Sequence, residues 1–191
     1  MPRTKQFDRQ EALDKAMNVF WEKGYNGASI QDLVEEMNIN RSSMYDTFGE
    51  KHNLYKEALQ AYKSKYGINS RYLKNKSPFE GIRLLIDDYV NSIVQDKHNK
   101  GCFILNSTAE SSCHDGDVKA FLQTNLEEFG EMLVELLSNS QGAKEISSAR
   151  SPEELSDFVI AALQGMRMMG RVTNDPEKLR RIADNILKSI K

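Results

Sequence analysis

Ser29-Ile30-Gln31-Asp32-Leu33-Val34-Glu35-Glu36-Met37-Asn38-Ile39-Asn40-Arg41-Ser42-Ser43-Met44-Tyr45-Asp46-Thr47-Phe48-Gly49-Glu50-Lys51 is the stretch that orders the reading of the whole chain. Ser29 stands three residues before Asp32, the spacing of an N-cap and its reciprocal partner, so a helix is predicted to begin at Ile30. Ile30, Leu33, Val34 and Met37 recur at offsets of three and four and give that helix one apolar face. Asn38-Ile39-Asn40 interrupts the pattern. Asn38 tolerates a left-handed backbone, though less easily than Gly, and Asn40 supplies a second N-cap. The next short helix, Arg41 to Phe48, turns Met44 and Phe48 inward together because they lie four residues apart. Its opposite side then carries Arg41, Ser42 and Tyr45, with Asp46 adjacent. Upstream, Leu13, Ala16, Met17 and Phe20 form one face of a helix over residues 8–23, which Gly24 is expected to end in the left-handed region.

Two short capped helices joined by a turn of three or four residues have the spacing of a helix-turn-helix, whose second helix lies in the DNA major groove. The outward residues suit that placement. Arg pairs with guanine, Ser is permissive, and Tyr contacts a phosphate or a thymine methyl. Gly49-Glu50-Lys51 opens a fourth helix, where Lys51 lies near a positive helix terminus that holds a phosphate. The arm from Pro2 to Lys5 either brings Arg3 and Lys5 to the minor groove or is a disordered tail. A three-helix cap without a DNA role needs every one of these coincidences to be accidental.

The remaining chain reads as helices throughout. Three of its four prolines, Pro78, Pro152 and Pro176, follow Ser77, Ser151 and Asp175, so each marks a capped helix start. Behind Pro78 the stripe is Ile82, Leu85, Ile86, Tyr89, Val90 and Ile93. A long helix carries Val118, Phe121, Leu122, Leu126, Phe129, Met132, Leu133, Leu136 and Leu137, and a last one carries Leu179, Ile182, Ala183, Ile186, Leu187 and Ile190. The helix after Pro152 is apolar on two faces, one along Leu155, Phe158, Val159, Ala162, Leu163 and Met166, the other at Ile160, Ala161, Met168 and Met169. One core cannot use both, which predicts a homodimer with a four-helix interface built from the last two helices of each copy. Lys63 to Lys76 and Asn139 to Ser151 read as polar connections. The fold class is therefore all-α, with a three-helix N-terminal domain over residues 1–50 and a helical ligand-binding and dimerisation domain over residues 51–191.

Composition narrows the function. Hydrophobic residues at 39% and charged residues at 28% describe an ordinary globular protein. No apolar run approaches the ~20 residues of a membrane span, and the polar N-terminus lacks a secretory signal, so the cytoplasm is the expected location and no membrane partner is expected. A net charge of −2 gives no global pull toward nucleic acid, so any DNA contact must rest on local cations and helix N-termini. Three histidines, His52, His98 and His114, lack a HExxH or triad context and no phosphate-binding Gly-rich loop is present, so neither an enzyme nor a cofactor is expected.

The run from Ser29 to Lys51 resembles the DNA-binding motif of the TetR family of transcriptional regulators, and the resemblance spans residues 8 to about 55. That family usually has Thr in place of Ser29, Ala at Val34 and Met37, Gly at Asn38 and Ser or Thr at Asn40. The Tyr-x-x-Phe-x-x-Lys pattern matches fully at Tyr45, Phe48 and Lys51. The resemblance implies phosphate contacts from Ser29, Tyr45, Thr47 and Lys51 and base-edge contacts from Arg41, Ser42 and Ser43. It further implies a repressor that binds palindromic double-stranded DNA as a homodimer and releases it on binding a small-molecule inducer.

Gly101-Cys102-Phe103-Ile104-Leu105-Asn106, followed by Ala109-Glu110, is similar to a helix of one subgroup of that family, some of whose members sense electrophiles through cysteine. Cys102 is thereby a candidate sensor thiol if it lies at a helix N-terminus, against the plainer reading of a small buried residue. The inducer is accordingly expected to be hydrophobic or electrophilic, with Tyr89, Cys102, Phe103, Phe129, Met132 and Met166 as candidate lining, each of which also suits a plain core. Cys102 and Cys113 on one helix would be about 16 Å apart along its axis, beyond disulfide reach. Cys113, His114, Asp115 and Asp117 are too crowded for a recognised metal site, so none is expected. The rival function is a helical interaction or ligand-carrier protein with a vestigial N-terminal unit. Binding to bulk DNA that falls steeply with salt distinguishes the two.

Overall fold

The computed structural model describes residues 7–67, 70–74, 77–110 and 116–191, and the described residues contain α-helices and one 3-10 turn with no strand. The helices are α1 (Arg9–Gly27), α2 (Ile30–Met37), α3 (Arg41–Phe48), α4 (Lys51–Tyr66), α5 (Pro78–Val94), α6 (Phe103–Ala109), α7 (Gly116–Gly142), α8 (Pro152–Gly170) and α9 (Pro176–Ile190), with the 3-10 turn at Ser70–Lys74. Ser77, Ser151 and Asp175 cap the three helices that begin with proline, as their spacing predicts. Asp8 caps α1 as well, accepting the N–H groups of Gln10 and Glu11. The arm residues Arg3 and Lys5, and Cys113, His114 and Asp115, lie outside the described residues.

Packing separates the chain into two compact units, residues 1–67 with 102–122 and residues 68–101 with 123–191. They do not follow the expected division after residue 50. Leu54, Tyr55, Ala58, Leu59 and Tyr62 of α4 are buried in one core with Leu13, Ala16, Met17 and Phe20 of α1, so α4 belongs structurally to the N-terminal unit. Residues 102–122 return to the same unit, burying Phe103, Val118 and Leu122 there.

The second unit is built on α5, α8 and α9 with the C-terminal part of α7. Ile82, Leu85, Ile86, Val90 and Ile93 meet Leu133, Leu136 and Leu137, and Leu155, Val159, Leu163 and Met166 close the core with Leu179, Ala183, Ile186 and Ile190. The apolar stripe of α7 thus serves two cores, and Leu126, expected on that stripe, is 44% exposed. The polar connection expected from Asn139 begins later, because α7 continues to Gly142 and Ile146 beyond it is buried. No helix among the described residues is long and apolar enough to cross a membrane.

Candidate nucleic-acid interface

Local chemistry sets the geometry of α2 and α3. Ser29 Oγ accepts the Asp32 N–H at 3.0 Å, and the Ser29 N–H and Oγ–H both donate to Asp32 Oδ2 at 2.9 and 2.8 Å. Lys23 Nζ adds a 2.6 Å contact to Asp32 Oδ1. The Lys23 hydrogen bond, followed by those from Ser29, holds the Asp32 carboxyl well below the usual carboxylate range. At the far end Asn38 adopts φ 54° and ψ 44°, the left-handed conformation expected there, and Ile39 N–H closes onto Val34 O at 3.1 Å. Asn40 Oδ1 accepts the Ser43 N–H at 2.8 Å and starts α3.

Met44 and Phe48 are buried at 0% and 3%, so the opposite face of α3 is turned outward. Arg41 and Ser42 are exposed and Tyr45 is 38% exposed, with the Arg41 guanidinium carbon 5.8 Å from the Tyr45 ring centroid. Ser42 Oγ lies 3.4 Å from Asp46 Oδ2, which sets an anionic group beside that face. Ser43 is half-buried, its backbone N–H committed to the Asn40 cap.

Three candidates are placed differently from a simple outward array. The hydrogen-bond donors of Ser29 both go to Asp32, so its hydroxyl reaches a phosphate as a donor only by leaving that carboxylate. Thr47 Oγ1 is buried and has no hydrogen-bond partner among the described residues, so its hydroxyl must rotate to meet a phosphate. Lys51, in the first turn of α4, is half-buried with Nζ 4.6 Å from the Tyr25 ring centroid. Burial lowers the Lys51 pKa, a desolvation that an approaching phosphate would offset. The sequence carries no signal for Tyr25 as the seat of Lys51: Tyr25 reads as a turn residue, and nothing local links positions 25 and 51. Gly24 also differs: its φ of 72° is positive, but ψ of 174° is extended rather than left-handed helical, so the chain kinks there before Gly27.

The six candidate ligand residues divide between the units. Cys102, half-buried, is the N-cap residue of α6 and packs on the N-terminal core. Phe103 is buried in that core, with ring centroids 5.6 Å from Tyr55 and 5.7 Å from Tyr62. In the second unit Met166 is buried, while Tyr89, Phe129 and Met132 are half-buried against its core. The Tyr89 ring is covered by the Arg167 guanidinium at 4.3 Å. No group of three or more His, Cys, Asp or Glu among the described residues is arranged to hold a metal ion.

Residues 12–58 match the family model described as bacterial regulatory proteins, tetR family, and residues 78–186 match the model described as tetracyclin repressor-like, C-terminal domain. The chain is 28% identical over 184 residues to the HTH-type transcriptional regulator YezE of Bacillus subtilis, covering 94% of each chain. It is 29% identical over 189 residues to the HTH-type transcriptional repressor ComR of Escherichia coli, covering 97% of this chain and 90% of ComR. Among solved structures, a cysteine-substituted form of the TetR family transcriptional regulator CifR in complex with 26-bp operator DNA superposes with a TM-score of 0.86 at 27% identity, over 99% of this chain and 100% of that one. Both domain models, the curated relatives and the fold converge on one conclusion: this chain belongs to the TetR family of transcriptional regulators.

Proposed function

We propose that the protein is a ligand-responsive repressor that binds a palindromic operator as a homodimer and releases it on binding an inducer. The observation that carries the DNA-binding part is the face of α3, where Arg41, Ser42 and Tyr45 point outward while Met44 and Phe48 anchor the helix from behind. Arg41, Ser42 and Ser43 read base edges, and Tyr45 and Lys51, with Ser29 and Thr47 after side-chain rearrangement, hold phosphates. Arg3 and Lys5 add minor-groove contacts from the arm. The operator-bound CifR structure supports this reading by its likeness over nearly the whole chain.

The homodimer is assigned to α8. Its Met168 is 42% exposed, and Phe158, which periodicity groups with Leu155, Val159 and Leu163, is 39% exposed and stands outside their buried row, while Val172 just beyond the helix is 91% exposed. An apolar face of that kind is what a second copy covers. The inducer is a hydrophobic or electrophilic small molecule that favours the conformer with the wrong half-site spacing. Within the second unit its candidate contacts are Tyr89, Phe129, Met132 and Met166; Cys102 and Phe103, which belong to the first unit, are a separate candidate. An electrophile acting at Cys102 is tested by Cys102→Ser, which should abolish release by thiol-reactive compounds; an unchanged response removes that role.

The deciding experiment is a footprint on the DNA flanking the protein's own gene. A protected palindrome with half-sites about 34 to 36 Å apart is expected; no protection with or without inducers overturns the reading. Lys51→Ala should weaken binding to every sequence and flatten its salt dependence, Tyr45→Ala should weaken it without changing the slope because a phenol neutralises no phosphate, and Arg41→Ala should shift sequence preference.

A further inference from the structure

We propose that Glu110, at the C-terminal end of α6, is a positioning residue for DNA binding: its carboxylate fixes the turn at Gly24 that kinks the last part of α1, and Tyr25 of that turn seats Lys51 for a phosphate. The inference rests on the DNA-binding reading above and adds a residue 59 positions from Lys51 to its machinery.

The turn is shaped around this carboxylate. Glu110 Oε2 accepts the Tyr25 N–H at 3.0 Å, a contact between residues 85 positions apart. A Cβ at Gly24 would stand 2.2 Å from Glu110 Oε1 and 2.9 Å from its Cδ, so the absence of a side chain there is what admits the group. Gly24 is further set apart by its φ of +72°, which a side chain would strain. A hydrogen bond from a backbone N–H to an ionised acceptor is among the stronger ones in a protein.

From the turn the path continues through Tyr25. Its ring lies 4.9 Å from Tyr55 and 6.3 Å from His52, and Lys51 Nζ rests 4.6 Å from its centroid. An aromatic face orients an ammonium without neutralising it, so the Lys51 charge stays available to a phosphate. At the other end α6 is secured by the Tyr55 hydroxyl, which donates to Ser107 Oγ at 2.7 Å in a buried contact, while Ser107 Oγ donates to Phe103 O at 2.8 Å. Glu110 therefore projects from an anchored helix onto the turn whose aromatic side chain carries Lys51.

Anisotropy of a labelled mixed-sequence DNA duplex across a salt series tests this, because phosphate contacts are independent of sequence. Glu110→Ala should bind on the order of tenfold more weakly, and its slope of log affinity against log salt should fall by about 0.9 for each phosphate that Lys51 no longer neutralises. Glu110→Asp, whose shorter side chain withdraws the carboxylate, should weaken binding and flatten the slope in part; Glu110→Gln keeps an acceptor oxygen and should restore most of both. The double variant Glu110→Ala with Lys51→Ala should be no weaker than Lys51→Ala alone. A folded Ala or Asp variant with unchanged affinity and slope, or losses that add in the double variant, overturns the positioning role; should the Ala variant fail to fold, the Asp variant decides. Lys51→Ala with unchanged affinity and slope would instead refute the phosphate role of Lys51 itself, and the inference with it.

Discussion

At Ser29 one hydroxyl and the Asp32 carboxylate satisfy the start of α2, and Lys23 completes the cluster. Ser29→Ala should lower unfolding free energy by about 1 kcal/mol, read from denaturant midpoints. The Asp32 pKa lies below its ordinary 3.8, so its contribution is present above that pH and is lost as pH falls through the depressed value. Thermal melts in acid should show Asp32→Asn losing less stability than the parent over the same descent. Tyr55 behaves oppositely. Burial pushes its pKa up to about 12, so the unfolded chain releases the phenolic proton first and stability should fall as pH rises from about 10 toward that value. Tyr55→Phe should remove that slope and cost about 1 kcal/mol by deleting the bond to Ser107; an alkaline melt series on both proteins checks the difference.

Among the elements, the connection between α2 and α3 depends on Asn38 in the left-handed region. Asn38→Ala should cost about 1 kcal/mol because a β-carbon is disfavoured there and Ala brings no compensating side-chain bond. Asn38→Gly should stay within a few tenths, since relief of strain is offset by the freedom Gly gains in the unfolded chain. Calorimetric melting of the pair checks the order. Helix α7 makes a different point: Val118 and Leu122 are buried in one core and Leu133, Leu136 and Leu137 in the other, with Leu126 exposed between them. One helical stripe read from periodicity is two interfaces in series, and periodicity does not encode which partner each turn meets.

For the whole molecule, the exposed side of α8 sets the expected assembly. Phe158→Asp should convert the proposed dimer to a monomer by sedimentation while preserving helix content, because the residue is already 39% exposed and contributes little to its own unit. Operator binding should weaken far more than Tm of the monomer falls, since both half-sites must be engaged together. A dimer that persists in this variant places the interface elsewhere.

The sequence alone determined the helices, their caps at Ser29, Asn40, Ser77, Ser151 and Asp175, the Asn38 turn and the outward face of α3. These follow from interactions between residues two to five positions apart, which spacing records directly. Only the tertiary structure decided that α4 and residues 102–122 join the N-terminal unit, that the Thr47 hydroxyl is buried, that the candidate ligand residues fall in two cores, and that Glu110 reaches Tyr25 across 85 positions. The physical reason is range: capping and periodicity act within a turn or two of chain, whereas a partner far along the sequence is selected by which surfaces the completed packing brings together.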